Sequence, residues 1–249
     1  MLLLLSGEGA SDLGRCAMPV GQCDGDAFEA GPMAALVDQI ILDVLKFSVL
    51  KDVPTRLRYI AKQCLSDVAD DLRGNRRAVS LTGKKQGQET GYFMKMAWSY
   101  GKLALQIEAD EDDSAVAVFF RDTDGTHSIR DGAWAEKWHS IERGFGRAGF
   151  ERGVPMLPKP TSEAWLLCAA KSSPYQACSA LEDLPGNLES SRHPKKELAR
   201  AFGEEKSSAE LREWLEGHPF EPDSAMEMGS YRAFRERMVE VLTTVRGRA

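Results

Sequence analysis

The chain has 249 residues, 43% of them hydrophobic, enough for one large buried core with a smaller appendage. No stretch approaches the roughly 20 consecutive apolar residues of a membrane span, which excludes an integral helical membrane protein. The net charge of −6 argues only weakly against a nucleic-acid partner, because the acids are unevenly placed: Glu108 to Asp113 is almost wholly acidic and reads as a solvated loop.

Met1-Leu2-Leu3-Leu4-Leu5-Ser6 opens the chain as a short apolar run and ends in Gly7-Glu8-Gly9-Ala10-Ser11-Asp12. No positive charge precedes the leucines and no small-residue cleavage site follows them, so a buried first strand is expected rather than a signal peptide. Glu8 and Asp12 share a face if a helix begins there, and the flanking glycines would let the backbone approach a ligand closely.

Residues 15–27 carry Gly21 and Gly25 and no clear periodicity, the mark of a loop. Leu36, Val37, Ile40, Ile41, Val44 and Leu45 recur at helical spacing and predict a helix over Ala34–Leu50, with a second over Arg56–Leu72. A short strand is expected at Ala78–Leu81, a loop at Gly83–Gly87, and a helix over Thr90–Gln106 whose aromatic and methionine stripe reads as core.

Val116-Ala117-Val118-Phe119-Phe120 then predicts a buried parallel strand, broken after Asp122-Thr123-Asp124 by Gly125. That places two carboxylates at the carboxyl end of a strand, where open α/β sheets bind ligands. Carboxylates held together repel one another unless a cation lies between them, and Mg²⁺ favours such oxygen donors with water and phosphate oxygens. The plainer reading is a turn in which Asp and Gly supply loop chemistry.

A helix follows over Gly132–Ala148, then a final strand at Val154–Leu157. Beyond it, Thr161 or Ser162 can cap a helix with Glu163 in its first turn. There Glu163 is either a partner of the helix dipole or a further metal ligand, with Lys159 as a phosphate contact. From residue 172 onward, loops and helices at Pro194–Phe202, Ala209–Leu215 and Ser230–Val245 form a helical tail. The expected fold is therefore α/β, a mostly parallel Rossmann-like sheet flanked by helices over residues 1–171, with a helical insertion at about 15–75 and an extension over 172–249 packed on the core.

Five cysteines with no close CxxC pair argue for reduced thiols, a cytoplasmic protein and no zinc site. Basic residues gather at Arg73, Arg76 and Arg77, at Lys84 and Lys85, and at Lys195, Lys196 and Arg200. Each cluster is either a solvated face or a phosphate track, and Lys84 and Lys85 are candidate substrate contacts.

Two family resemblances follow from these residues. Asp122-Thr123-Asp124-Gly125-Thr126 resembles the first motif of haloacid-dehalogenase-type phosphotransferases, which implies Asp122 as nucleophile and Asp124 as general acid. The later acidic pair of that family has no counterpart downstream. Glu8 after the first strand, with Asp122-x-Asp124 after a later one, resembles the Toprim fold of type IA topoisomerases, primases and OLD-family nucleases, and the Glu8-x-x-x-Asp12 spacing resembles the OLD-type branch. Pro158-Lys159-Pro160, Glu163-Ala164-Trp165-Leu166 and His193-Pro194-Lys195-Lys196 are similar to segments of small stand-alone Toprim-like proteins, often encoded beside an ABC or SMC-like ATPase and in some cases within phage-defence loci.

The resemblance implies metal-dependent phosphodiester hydrolysis of nucleic acid, with DNA favoured over RNA. Glu8, Asp12, Asp122, Asp124 and Glu163 would hold one or two Mg²⁺ or Mn²⁺ ions, and Lys195 or Lys196 would neutralise charge in the transition state. It also implies a possible ATPase partner and leaves open a non-catalytic role beside one.

Overall fold

The computed structural model describes residues 1–74, 89–123, 132–221 and 223–247. The expected strand at 78–81 and the loop at 83–87 lie outside the described residues.

The architecture is α/β. A five-stranded sheet has the order β3 (Gln22–Asp24), β5 (Leu57–Ile60), β1 (Leu2–Gly7), β6 (Ala115–Phe120), β7 (Gly153–Met156). Four neighbouring strands run parallel, and only β3, at one edge, is antiparallel. Leu5 pairs with Val118 and Gly7 with Phe120, so β1 and β6 end side by side. The short strands β2 (Gly14–Cys16) and β4 (Phe28–Ala30) form a separate antiparallel pair.

An unbroken apolar run suits a strand covered on both faces, since side chains alternate even where the sequence does not. Leu3, Leu5, Val116, Val118, Phe120, Val154 and Met156 enter one core with α1 (Pro32–Leu45), α5 (Ser162–Ala170) and α8 (Gly229–Arg246). Leu2, Leu4, Ala115, Ala117 and Phe119 enter the other, with α3 (Glu89–Glu111) and α4 (Ala133–Ala148). The helices α2 (Lys62–Gly74), α6 (Pro194–Phe202) and α7 (Ser208–Gly217) complete the α-helices among the described residues. Trp165 of α5 anchors α8: its ring stacks on Phe234 at 5.6 Å, meets Tyr231 edge-on at 5.3 Å, and its N–H donates to Ser230 Oγ at 2.9 Å. Among the described residues no helix is long and apolar enough to cross a membrane.

Three expectations are corrected. Arg56–Leu72 is not one helix, because Leu57 and Tyr59 pair with Leu3 and Leu5 of the central strand before α2 begins at Lys62. Helical spacing in that segment yields to a backbone partner that only the folded sheet supplies. Residues 15–27 are not a featureless loop but hold β2, β3 and a 3-10 turn. The acidic run at 108–113 is not simply solvated loop. Its first part closes α3, with both Glu108 oxygens on Arg152 at 2.5 and 2.6 Å and Glu111 on Arg58 at 2.9 Å.

The cysteines also differ from expectation. Cys16 is bonded to Cys23 and Cys168 to Cys178, leaving Cys64 as the free thiol among the described residues. Pairs seven and ten residues apart carry no CxxC signature, and only the fold brings them together. The cysteine argument for a cytoplasmic location therefore falls. Alkylation of the native purified chain is expected to label Cys64 alone, and reduction under denaturing conditions should expose all five cysteines. Labelling of all five before reduction, read by mass spectrometry, would contradict the pairing.

Candidate metal centre

Asp12 lies in the turn that leaves β1. Gly9 adopts φ +86°, where a side chain would be strained, and its carbonyl accepts the N–H of Asp12 at 3.2 Å. The Asp12 carbonyl in turn accepts the N–H of Met33 at 2.9 Å in the first turn of α1. Gly31 makes this close approach possible, since a Cβ there would fall 2.3 Å from the Asp12 carbonyl oxygen. Asp12 is thereby clamped to the start of α1.

Asp122 lies just past β6, beside the end of β1. Thr123 fixes that exit: its hydroxyl donates to the Pro158 carbonyl at 2.7 Å and its N–H to the Pro160 carbonyl at 3.0 Å. Thr161 is the N-cap of α5, so Ser162 and Glu163 occupy the first turn of that helix. The N–H of Ser162 donates to Asp122 Oδ1 at 2.9 Å, and its hydroxyl donates to Asp12 Oδ1. One serine thus joins the two aspartates.

Asp12, Asp122 and Glu163 each offer a carboxylate oxygen, and the three atoms lie within 4.8 Å of one another. An all-oxygen donor set of this kind fits a hard divalent cation such as Mg²⁺ or Mn²⁺. Burial pushes the Asp12 carboxyl above its ordinary range, and the charge of Glu163 adds to the rise against the pull of the Ser162 and Ser11 hydroxyls and of Lys195. Two acids crowded against a part-buried third are the electrostatic situation a cation relieves.

Lys195, in the first turn of α6, is close enough for its charge to act on both Asp12 and Glu163. Its ammonium meets Glu205 at 2.8 Å. That hydrogen bond, ahead of the opposing effect of burial, holds Lys195 above the usual lysine range. The helix carrying it is capped by His193, whose ring nitrogen accepts the Lys195 N–H at 3.1 Å.

Glu8 is not part of the trio. Strand alternation turns it, with Arg121, toward the α3 face, while Asp122 turns toward α5. Glu8 Oε2 accepts from Arg121 at 3.0 Å and from Lys62 at 3.2 Å. Lys159 reaches Asp183 at 3.5 Å. Lys196 is exposed and its N–H closes the first turn of α6. Asp124, Lys84 and Lys85 lie outside the described residues.

Sequence reasoning missed Arg121 and Lys62 and saw Ser162 only as a cap. A cation wedged between a buried apolar run and Asp122 was the available signal for Arg121. The bridging role of Ser162 had none, because Asp12 is 150 residues away. No protein-family model, curated protein or solved structure matches the chain.

A carboxyl with a raised folded pKa keeps a proton that the unfolded chain releases. Its contribution to stability therefore declines as pH rises from 3.8 through the raised value. Asp12→Asn removes that penalty. The metal-free variant is expected to melt above the parent at neutral pH. The gap should narrow toward pH 3.8. A lower melting temperature at neutral pH would contradict the electrostatic account.

Proposed function

We propose that the chain is a Mg²⁺- or Mn²⁺-dependent phosphodiesterase acting on nucleic acid. The observation that carries this reading is the convergence of Asp12, Asp122 and Glu163 at the carboxyl end of parallel strands, a usual ligand position in open α/β sheets. The choice of a phosphodiester is supported by Lys195, a cation beside the trio suited to a phosphoryl oxygen, and by the Asp122-x-Asp124 segment, which resembles that of Toprim nucleases; Glu8, the other part of that resemblance, lies outside the trio.

When bound, a divalent ion supplies Lewis acidity and water of lowered pKa. The chain supplies the rest. Asp12, Asp122 and Glu163 are the residues that would hold the ion, and Ser162 orients two of them from one rigid helix start. Lys195, kept protonated beside the trio, is suited to neutralise negative charge growing on the phosphoryl group rather than to accept a proton. In the net reaction, water adds its oxygen to phosphorus and one P–O ester bond breaks. The leaving oxygen takes a proton, giving a phosphomonoester end and a hydroxyl end.

Supercoiled plasmid incubated with the purified chain and Mn²⁺ is expected to convert to nicked and linear forms. Even residues that merely support a metal's ligands cost about 10–100-fold when changed. Asp122→Asn and Glu163→Gln are therefore expected to lower the rate by about 100-fold or more. Cleavage that persists in both variants, or that never occurs with wild type, would contradict the proposal. Release of phosphate from small monoesters without plasmid cleavage would point instead to an Asp122-centred phosphatase.

A further inference from the structure

A second charged cluster lies at the same end of the sheet on its other face. Arg121 is only 1% exposed, with its guanidinium 5.0 Å from the Phe119 ring centre and 5.9 Å from that of Tyr92. One Nη donates to Glu8 Oε2 at 3.0 Å and the other to the Tyr92 hydroxyl at 3.4 Å. Its buried Nε has no hydrogen-bond partner among the described residues. Lys62, the first residue of α2, donates to the same Glu8 oxygen at 3.2 Å and lies 5.6 Å from the Tyr92 ring centre.

Two cations therefore share one carboxylate oxygen, and the more buried cation keeps an unmet donor. A guanidinium is best satisfied by an acceptor that takes two of its N–H groups at once, as phosphate does. Glu8 is a poor substitute, because it engages Arg121 through a single oxygen and its side chain is 45% exposed. Gly7 and Gly9 flank it, the latter in the left-handed region, so little side-chain bulk holds it in place. Lys62 and Glu8 are both open to solvent, and the first turn of α2 adds the positive end of a helix dipole.

We infer that Arg121, Lys62 and the Tyr92 hydroxyl form a phosphate subsite in which the Glu8 carboxylate is a displaceable occupant. Arg121 and Asp122 are consecutive, so the subsite adjoins the acidic trio across the strand end. A substrate engaging both would carry more than one phosphate, which favours a polynucleotide strand over a small monoester. That choice of substrate rests on the hydrolase reading; the anion subsite itself does not.

The test is made in EDTA, so it is independent of any metal-dependent hydrolysis. Binding of a short single-stranded oligonucleotide is followed by fluorescence anisotropy, and inorganic phosphate is titrated in a thermal-shift assay. Glu8→Gln removes the competing anion and is expected to tighten oligonucleotide binding about tenfold. It should also enlarge the phosphate-dependent rise in melting temperature. Lys62→Gln, at an exposed site, is expected to weaken binding and to flatten the plot of log affinity against log salt by about 0.7, the loss of one phosphate contact on a single strand. Stabilisation by phosphate without tighter oligonucleotide binding would retain the subsite and overturn its assignment to a nucleic-acid strand. Equal affinities of wild type and Glu8→Gln for both probes would overturn the subsite, and an unchanged salt slope in Lys62→Gln would overturn its assignment to a nucleic-acid strand.

Discussion

Ser162 joins parts of the chain that are otherwise far apart. Its N–H holds Asp122, 40 residues away in sequence, and its hydroxyl holds Asp12, 150 residues away. A hydroxyl that donates to one carboxylate while the adjoining amide donates to another restrains both acids from a single rigid point, the start of α5. Hydrogen bonds to charged acceptors are each worth about 1.5–3 kcal/mol, so this junction opposes the mutual repulsion of the acids it assembles. Glu163, the next residue, is carried to the same place by the same helical turn. The junction fixes the side chains of acids that the strand ends and α1 have already brought near one another.

The sheet supplies the second constraint. Because β1 and β6 pair in register to their last residues, everything that follows them emerges at one edge of the structure. Strand alternation then separates opposite charges that are adjacent in sequence: Asp122 faces α5 and joins the acidic trio, while Arg121 faces α3 and joins Glu8, Lys62 and Tyr92. A one-residue shift would exchange the two sets. An acidic face suited to a cation and a basic face suited to an anion follow from the pleat of a single strand end.

Much of this organisation was legible in the sequence. The leucine run, the apolar run before Asp122 and the helix starting after Thr161 each have a local pattern that physical chemistry reads directly, and each forms as expected. Asp12, Asp122 and Glu163 were also candidates from their positions after strands or at a helix start. What was not legible depended on contacts between distant segments. Leu57–Ile60 looks helical until β1 offers it an edge, and the cysteines look unpaired until the chain folds. Glu8 was expected as a metal ligand from the Toprim resemblance, on its place after the first strand and its spacing to Asp12, but Gly9 turns the chain between them and Arg121 draws the glutamate to the other side. The buried arginine had an apolar neighbourhood in sequence that concealed its charge partner.

The central claim is that Asp12, Asp122 and Glu163 hold a divalent cation. A crystal structure grown with Mn²⁺ and recorded for anomalous scattering tests it most directly. The account predicts an anomalous peak about 2.0–2.6 Å from an oxygen of each of the three carboxylates. A peak at Glu8, or none at the trio in crystals saturated with the ion, would contradict it.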